Sequence, residues 1–290
     1  MSDPSTPPSG SPDVCRVACW LTFETEPGTA IALQVAVASS SGVIRQENLE
    51  LTVDDVPVAP SAEVTATGGG RVHVVESDGG TLRLTYEATV TPTMVTRGRS
   101  IGTLGPTYYE AAAIAALHQS AYCRSDLLAG FAANEFGAIR DEPDAAHRVA
   151  GWVFERLAYE PGSSGPLHSA VDTLLTNTGV CRDFAHLTIT LLRALGIPAR
   201  LVAVYAPGLN PMDFHAVVEA LGPDGWEVLD ATRLAPRQTL VRIATGRDAA
   251  DTAFVTTLRG SAELVASSVF AVTDDLYLPV DDHTSTAHLA

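Results

Sequence analysis

Gly179-Val180-Cys181-Arg182-Asp183-Phe184-Ala185-His186, followed by Phe214-His215-Ala216 and Leu229-Asp230-Ala231-Thr232, holds most of the structural information in this chain. Thr178-Gly179 reads as a helix boundary, with Phe184, Leu187, Leu191, Leu192 and Leu195 recurring along one face behind it. Gly196-Ile197-Pro198 ends that helix, because glycine suits the cap and proline forbids continuation. Cys181 therefore falls in the first turn, where the helix dipole and free backbone N–H groups favour an anion and can face a developing oxyanion. A mid-helix cysteine would read as a buried structural thiol. At a helix start beside Arg182 and Asp183, Cys181 reads as a nucleophile.

His215 stands 34 residues after Cys181, and Asp230 a further 15 residues on. That order supplies a nucleophile, a base and an orienting carboxylate, the roles a thiol acyl-transfer site needs. Alone, His215 is a histidine at a strand mouth after the loop 206–212, a position more often structural than catalytic. Gly222-Pro223-Asp224-Gly225 predicts a tight turn between strands 215–221 and 226–230. Residues symmetric about it pair, Leu221 with Trp226 and Glu219 with Val228. That register puts Asp230 opposite Val217 and diagonal to His215, within side-chain reach. Asp230 could equally cap the turn Asp230-Ala231-Thr232, a role that does not exclude the first.

Outward from this segment, helices are predicted at 107–118, 126–136, 144–157, 169–175 and 181–195, with a further strand at 199–205. Helices followed by antiparallel strands indicate an α+β fold, here a catalytic domain over 101–280. Residues 13–100 have a β texture, with strand-like runs at 30–38 and 82–88 broken by Gly28, Gly42, Gly68-Gly69-Gly70 and Gly79-Gly80. Several short strands at that spacing predict a small all-β sandwich preceding the α+β domain. Residues 1–12 and 281–290 read as a disordered tail and a frayed one.

At 290 residues, 46% hydrophobic and 18% charged, the chain is long enough for a sizeable core. The net charge of −16, from 34 acidic against 18 basic residues, repels nucleic-acid phosphates and anionic lipid, so neither is an expected partner. No apolar run is long enough to span a bilayer and no secretory signal opens the sequence, so a cytoplasmic location is expected. Cys15, Cys19 and Cys123 read as reduced thiols alongside Cys181. The first two lie on one face of a strand, roughly 13 Å apart and too far for a disulfide. Their spacing fits no zinc site, the acidic pairs near 274 and 281 fit no calcium loop, and neither a metal nor an organic cofactor is expected.

Several neighbouring side chains are expected to play lesser parts. His186 sits five residues past Cys181 and should point elsewhere, packing or capping. Asp183 is expected to cap backbone amides or pair with Arg182 or Arg200. Ser125 and Asp126 read as helix caps, and Tyr159 and Tyr205 as cleft walls or core.

With these residues in view, the chain resembles the transglutaminase-like superfamily, in particular the bacterial proteins named transglutaminase-like putative cysteine proteases. The match runs through Thr178 to Leu187, Arg193-Ala194-Leu195-Gly196-Ile197-Pro198-Ala199-Arg200, Asp213-Phe214-His215-Ala216 and Asp230-Ala231-Thr232-Arg233. Its core covers about 145–235; the β-rich part looks like the domain that often precedes it, with less specificity. The resemblance implies a papain-like arrangement with Cys181 as nucleophile, His215 as base and Asp230 as orienter. It implies an acyltransferase or cysteine peptidase acting on a protein or peptide substrate, with a primary amine or water as acceptor. Val217 and Ala231 depart from a common tryptophan and proline, which touches the acceptor side and leaves the triad whole. The backbone amide of Cys181 is the expected oxyanion donor. Other readings keep their place: an idle member serving as a binding module, or glycanase or acetyl-transfer chemistry with the same triad order.

Overall fold

In a computed structural model, residues 14–92 and 111–289 are described. Cys181 opens helix α5 (Cys181–Ala194), and Phe184, Leu187, Leu191, Leu192 and Leu195 are all buried along or just past it. α5 is the centre of one core. Helices α2 (Ser125–Phe136) and α3 (Ala145–Arg156) supply Leu128, Phe136, Val149 and Val153 to it. Strands β8 (Ala199–Tyr205), β9 (Phe214–Gly222) and β10 (Gly225–Leu229) contribute Leu201, Val218 and Leu229. Each such side chain is worth about 1.5–3 kcal/mol when fully buried, so this helix is held by tertiary packing more than by its own propensity. A shorter helix, α4 (Ala170–Thr176), starts on a capping box in which Ser169 and Asp172 each accept from the other's backbone N–H.

The four-stranded antiparallel sheet runs β10-β9-β8-β11, with β11 at Val241–Gly246. The β9–β10 turn falls where expected and sets the expected register: Leu221 pairs with Trp226 and Glu219 with Val228. Residues 281–289 are packed rather than frayed. Val228 N–H donates to the Ala287 carbonyl, covering the outer edge of β10, and buried Arg237 holds Asp281 at 2.7 Å. The helix predicted from 107 lies partly outside the described residues; α1 covers Ala111–Ala115. At α2, Ser125 is the first helical residue rather than a cap, and Asp126 binds the Arg124 guanidinium.

The β-rich part differs in build from the short strands read from its glycines. β1 (Cys15–Leu33) and β5 (Arg71–Thr91) are long strands paired along their length. Gly28, Gly79 and Gly80 do not end them. All three take positive φ; Gly28 is the extra residue where the register shifts between Pro27 and Thr29, a bulge, and Gly79 and Gly80 lie on β5 just beside it. β2 (Val43–Val53), β3 (Val56–Pro57) and β4 (Ala62–Thr65) extend this sheet. The other edge is supplied by the far end of the chain: β12 (Val255–Arg259) and β13 (Ala262–Thr273) pair with β1. Residues 255–273, read from sequence as part of the catalytic domain, thus complete the first sheet to seven strands.

The two sheets share a core. Tyr205, Val241 and Ile243 from the second pack with Leu21, Phe23, Leu84 and Tyr86 from the first. Tyr205 donates to the Val35 carbonyl at 2.8 Å and stacks on Tyr86, so it is core rather than cleft wall. Among the described residues, no helix is long and apolar enough to cross a membrane.

Candidate active site

The three residues singled out from sequence converge. β9 carries His215 and the chain leaving β10 carries Asp230, as the hairpin register requires. His215 Nε2 lies 2.9 Å from Asp230 Oδ2, with both side chains fully buried. The other ring nitrogen, Nδ1, is buried without a hydrogen-bond partner among the described residues. The Cys181 thiol lies near enough to the ring to act on its charge. Cys181 is half-buried at the start of α5, whereas Cys15, Cys19 and Cys123 are buried.

Burial alone would strip the proton from His215. The Asp230 carboxylate and the Cys181 thiol outweigh it and push the imidazole up to about 10. Asp230, also opposed by burial, is held below the usual carboxylate range by His215 and by Thr232. Thr232 donates to Asp230 Oδ1 twice, from its backbone N–H at 2.8 Å and its hydroxyl at 2.7 Å. It leaves Oδ2 for the histidine and fixes the plane of the carboxylate. Sequence reading quoted Thr232 without giving it a role; the signal was the Asp-x-Thr spacing of a side-chain-to-backbone turn.

Tyr159 was expected only as wall or core, and it does more. Short strand β6 (Ala158–Tyr159) pairs with β7 (Thr178–Gly179), the two residues before Val180-Cys181. This lays the ring 6.0 Å from Phe184 and brings the hydroxyl beside the Cys181 backbone N–H. Burial, then the charges of Cys181, Asp213 and Asp230, raise the phenol to about 12, so it remains a hydroxyl at neutral pH. A side chain pinned by a β bridge across 20 residues of sequence has no local signature.

Asp183 is fully buried and acts as the cap expected of it. Its Oδ2 accepts from Val180 N–H at 2.8 Å and from the Ser164 hydroxyl, while Arg182 approaches at 3.7 Å. Arg200 goes instead to Glu219 at 2.7 Å. His186 faces away from the site, as expected: buried, stacked on Tyr122, accepting from Ala249 N–H at 3.1 Å and held down to about 4 by burial. Among the described residues, no group of three or more His, Cys, Asp or Glu side chains could hold a metal ion.

The model of the transglutaminase-like superfamily matches residues 131–231, a span that contains Cys181, His215 and Asp230. A crystal structure of a "putative cysteine protease" from Cytophaga hutchinsonii shares 32% identity, covers 94% of this chain and 95% of that one, and superposes with a TM-score of 0.82. The chain belongs to the transglutaminase-like superfamily. Superfamily likeness extends to a protein-glutamine gamma-glutamyltransferase of Pseudomonas aeruginosa, 36% identical over 124 residues, which are 35% of this chain and 19% of that protein. An uncharacterised protein of Mycobacterium leprae is 33% identical over 116 residues, 36% of this chain and 40% of its own length. The chain thus spans less than half the length of these two relatives.

Proposed function

We propose that this chain is a cysteine-dependent acyltransferase or hydrolase that attacks a glutamine carboxamide or a peptide bond of a protein substrate and passes through a thioester. The observation that carries this reading is the buried imidazole of His215, bonded to Asp230 at 2.9 Å and near enough to the Cys181 thiol at a helix start to feel its charge. In the resting pair His215 already holds the proton that Cys181 gives up, which accords with its raised value, and the sulfur attacks the carbonyl carbon. The Cys181 backbone N–H and the Tyr159 hydroxyl are the donors at hand for the oxyanion. Collapse expels ammonia or an amine, which leaves with the proton held by His215. A primary amine or water then gives its proton to the same imidazole, attacks the thioester and releases the Cys181 sulfur.

The test gives the wild type and Cys181→Ala a glutamine-donor protein with a fluorescent primary amine, while ammonia release and chain cleavage are followed. Amine incorporation that depends on Cys181 means transfer; ammonia or fragments without incorporation mean hydrolysis. Turnover that Cys181→Ala leaves untouched would sink the reading. In the same assay Tyr159→Phe should slow turnover by about 10²-fold, the order of one lost oxyanion donor, at little cost in substrate affinity. A change confined to KM would make Tyr159 a wall.

A further inference from the structure

The outward face of the seven-stranded sheet bears a trough of about 330 Å³ built from β1, β2, β5 and β13, away from Cys181. Register explains its shape. Ala18 on β1 lies between Phe270 on β13 and Glu87 on β5, and Glu87 faces Asn48 on β2. The next rung sets Arg16 beside Thr89, and Thr89 beside Gln46. Trp20 follows Ala18 by two residues and so shares its face. A single methyl group at position 18 makes the floor, and the larger side chains stand around it. Trp20 remains 41% exposed and Phe270 38%, so two aromatic surfaces border the trough.

The polar lining is partly unspent. Arg16 is tied to Asp274 at 2.6 Å and the Asn48 amide donates to Glu50 at 2.9 Å. The side chains of Glu87 and Gln46, which line the trough, make no hydrogen bond or ion pair among the described residues.

We infer that this trough binds a pyranose unit of a neutral oligosaccharide. A sugar ring offers an apolar C–H face to aromatic side chains and a rim of hydroxyls that both donate and accept. The lining has the same duality: acceptors in Glu87 and the Asn48 oxygen, donors in the Gln46 amide and Arg16, and both in the Thr89 hydroxyl. A cation would call for acceptors and an anion for donors. A chain of net charge −16 further opposes an anionic glycan. The backbones of β1 and β5 beneath the trough are paired on both sides, so an added peptide strand would pair at the open edges of β2 and β13 and not lie in the trough.

The experiment follows the indole N–H resonances of the full chain, which has three tryptophans, Trp20, Trp152 and Trp226. Neutral oligosaccharides of glucose, of mannose and of N-acetylglucosamine are the probes, with a lysine-rich peptide alongside. The expected result is a saturable shift of the Trp20 resonance with one of the sugars while Trp152 and Trp226 stay put. Glu87→Ala should weaken that binding by about tenfold, the order of one charge-assisted hydrogen bond. Trp20→Ala should abolish it in calorimetry, with unmoved Trp152 and Trp226 resonances showing the variant folded, and Cys181→Ala should leave it intact. A Trp20 resonance that ignores all three sugars, or that moves only with peptide or with protein concentration, overturns the inference. So does sugar binding that survives Trp20→Ala.

Discussion

Asp230→Asn should slow acylation of Cys181 by about 10⁴-fold at neutral pH while leaving the fold intact, the order seen when a triad carboxylate becomes an amide. The substitution keeps shape and volume but removes a fully buried charge 2.9 Å from the imidazole. An amide oxygen can still accept from His215 Nε2, yet the largest charge that offsets the burial of the ring is then gone. The amide can also turn its NH₂ toward His215, selecting the tautomer that places a proton on Nδ1 and closes that nitrogen to the thiol. Single-turnover acylation read by mass spectrometry checks this. A variant within tenfold of the wild type would remove Asp230 from the orienting role.

The same pair has a stability signature whose sign can be worked out. The folded imidazole sits at about 10, above its unfolded value near 6.5, so its contribution is complete below about 6.5 and fades as pH rises through 10. Asp230 is depressed, so its contribution is complete above its unfolded value of about 3.9 and is lost as pH falls through the folded one. Together they stabilise most between about pH 4 and 6.5. The Tm difference between wild type and Asp230→Asn should be largest in that window and shrink toward pH 10. A difference flat across that range would mean the two groups are not coupled by charge.

The parts legible in the sequence are those set by local rules. α5 follows from apolar periodicity and a Gly-x-Pro stop. The His215–Asp230 contact follows from a two-residue turn, because register in a hairpin propagates from the turn without tertiary information. What was missed depends on contacts distant in sequence. The glycines at 28, 79 and 80 signal a break to any local reading, and only the pairing of β1 with β5 shows them gathered around one bulge in continuous strands. The return of residues 255–273 to β1 has no local cue, since an edge strand can be supplied from anywhere in the chain. Tyr159 reaches the site through a two-residue bridge that periodicity cannot see.

Glu219→Ala should cost about 3–5 kcal/mol of folding stability, the order of a buried ion network deprived of one partner. Glu219 is on β9 four residues from His215 and on the same face, and it receives two guanidinium groups. Arg242 donates to both of its oxygens, at 2.6 and 3.0 Å, and Arg200 donates at 2.8 Å. The Glu219 and Arg242 side chains are 1% and 5% exposed and Arg200 is 15% exposed, so water cannot replace the lost carboxylate. Arg200 lies 3.9 Å over the Trp226 ring, so from β8 it packs on the β9–β10 hairpin that brings His215 to Asp230. The control is Asp251→Ala, whose partner Arg247 is 55% exposed; there the loss should stay within about 1 kcal/mol. Replacing all three buried residues with leucine or methionine should recover most of the loss, since the cost arises from stranding charge rather than from an intrinsic benefit of the network. Chemical denaturation of the three variants decides the matter. A Glu219→Ala loss no larger than that of Asp251→Ala would show that the arginines find other partners, and that the strand carrying His215 does not depend on this carboxylate.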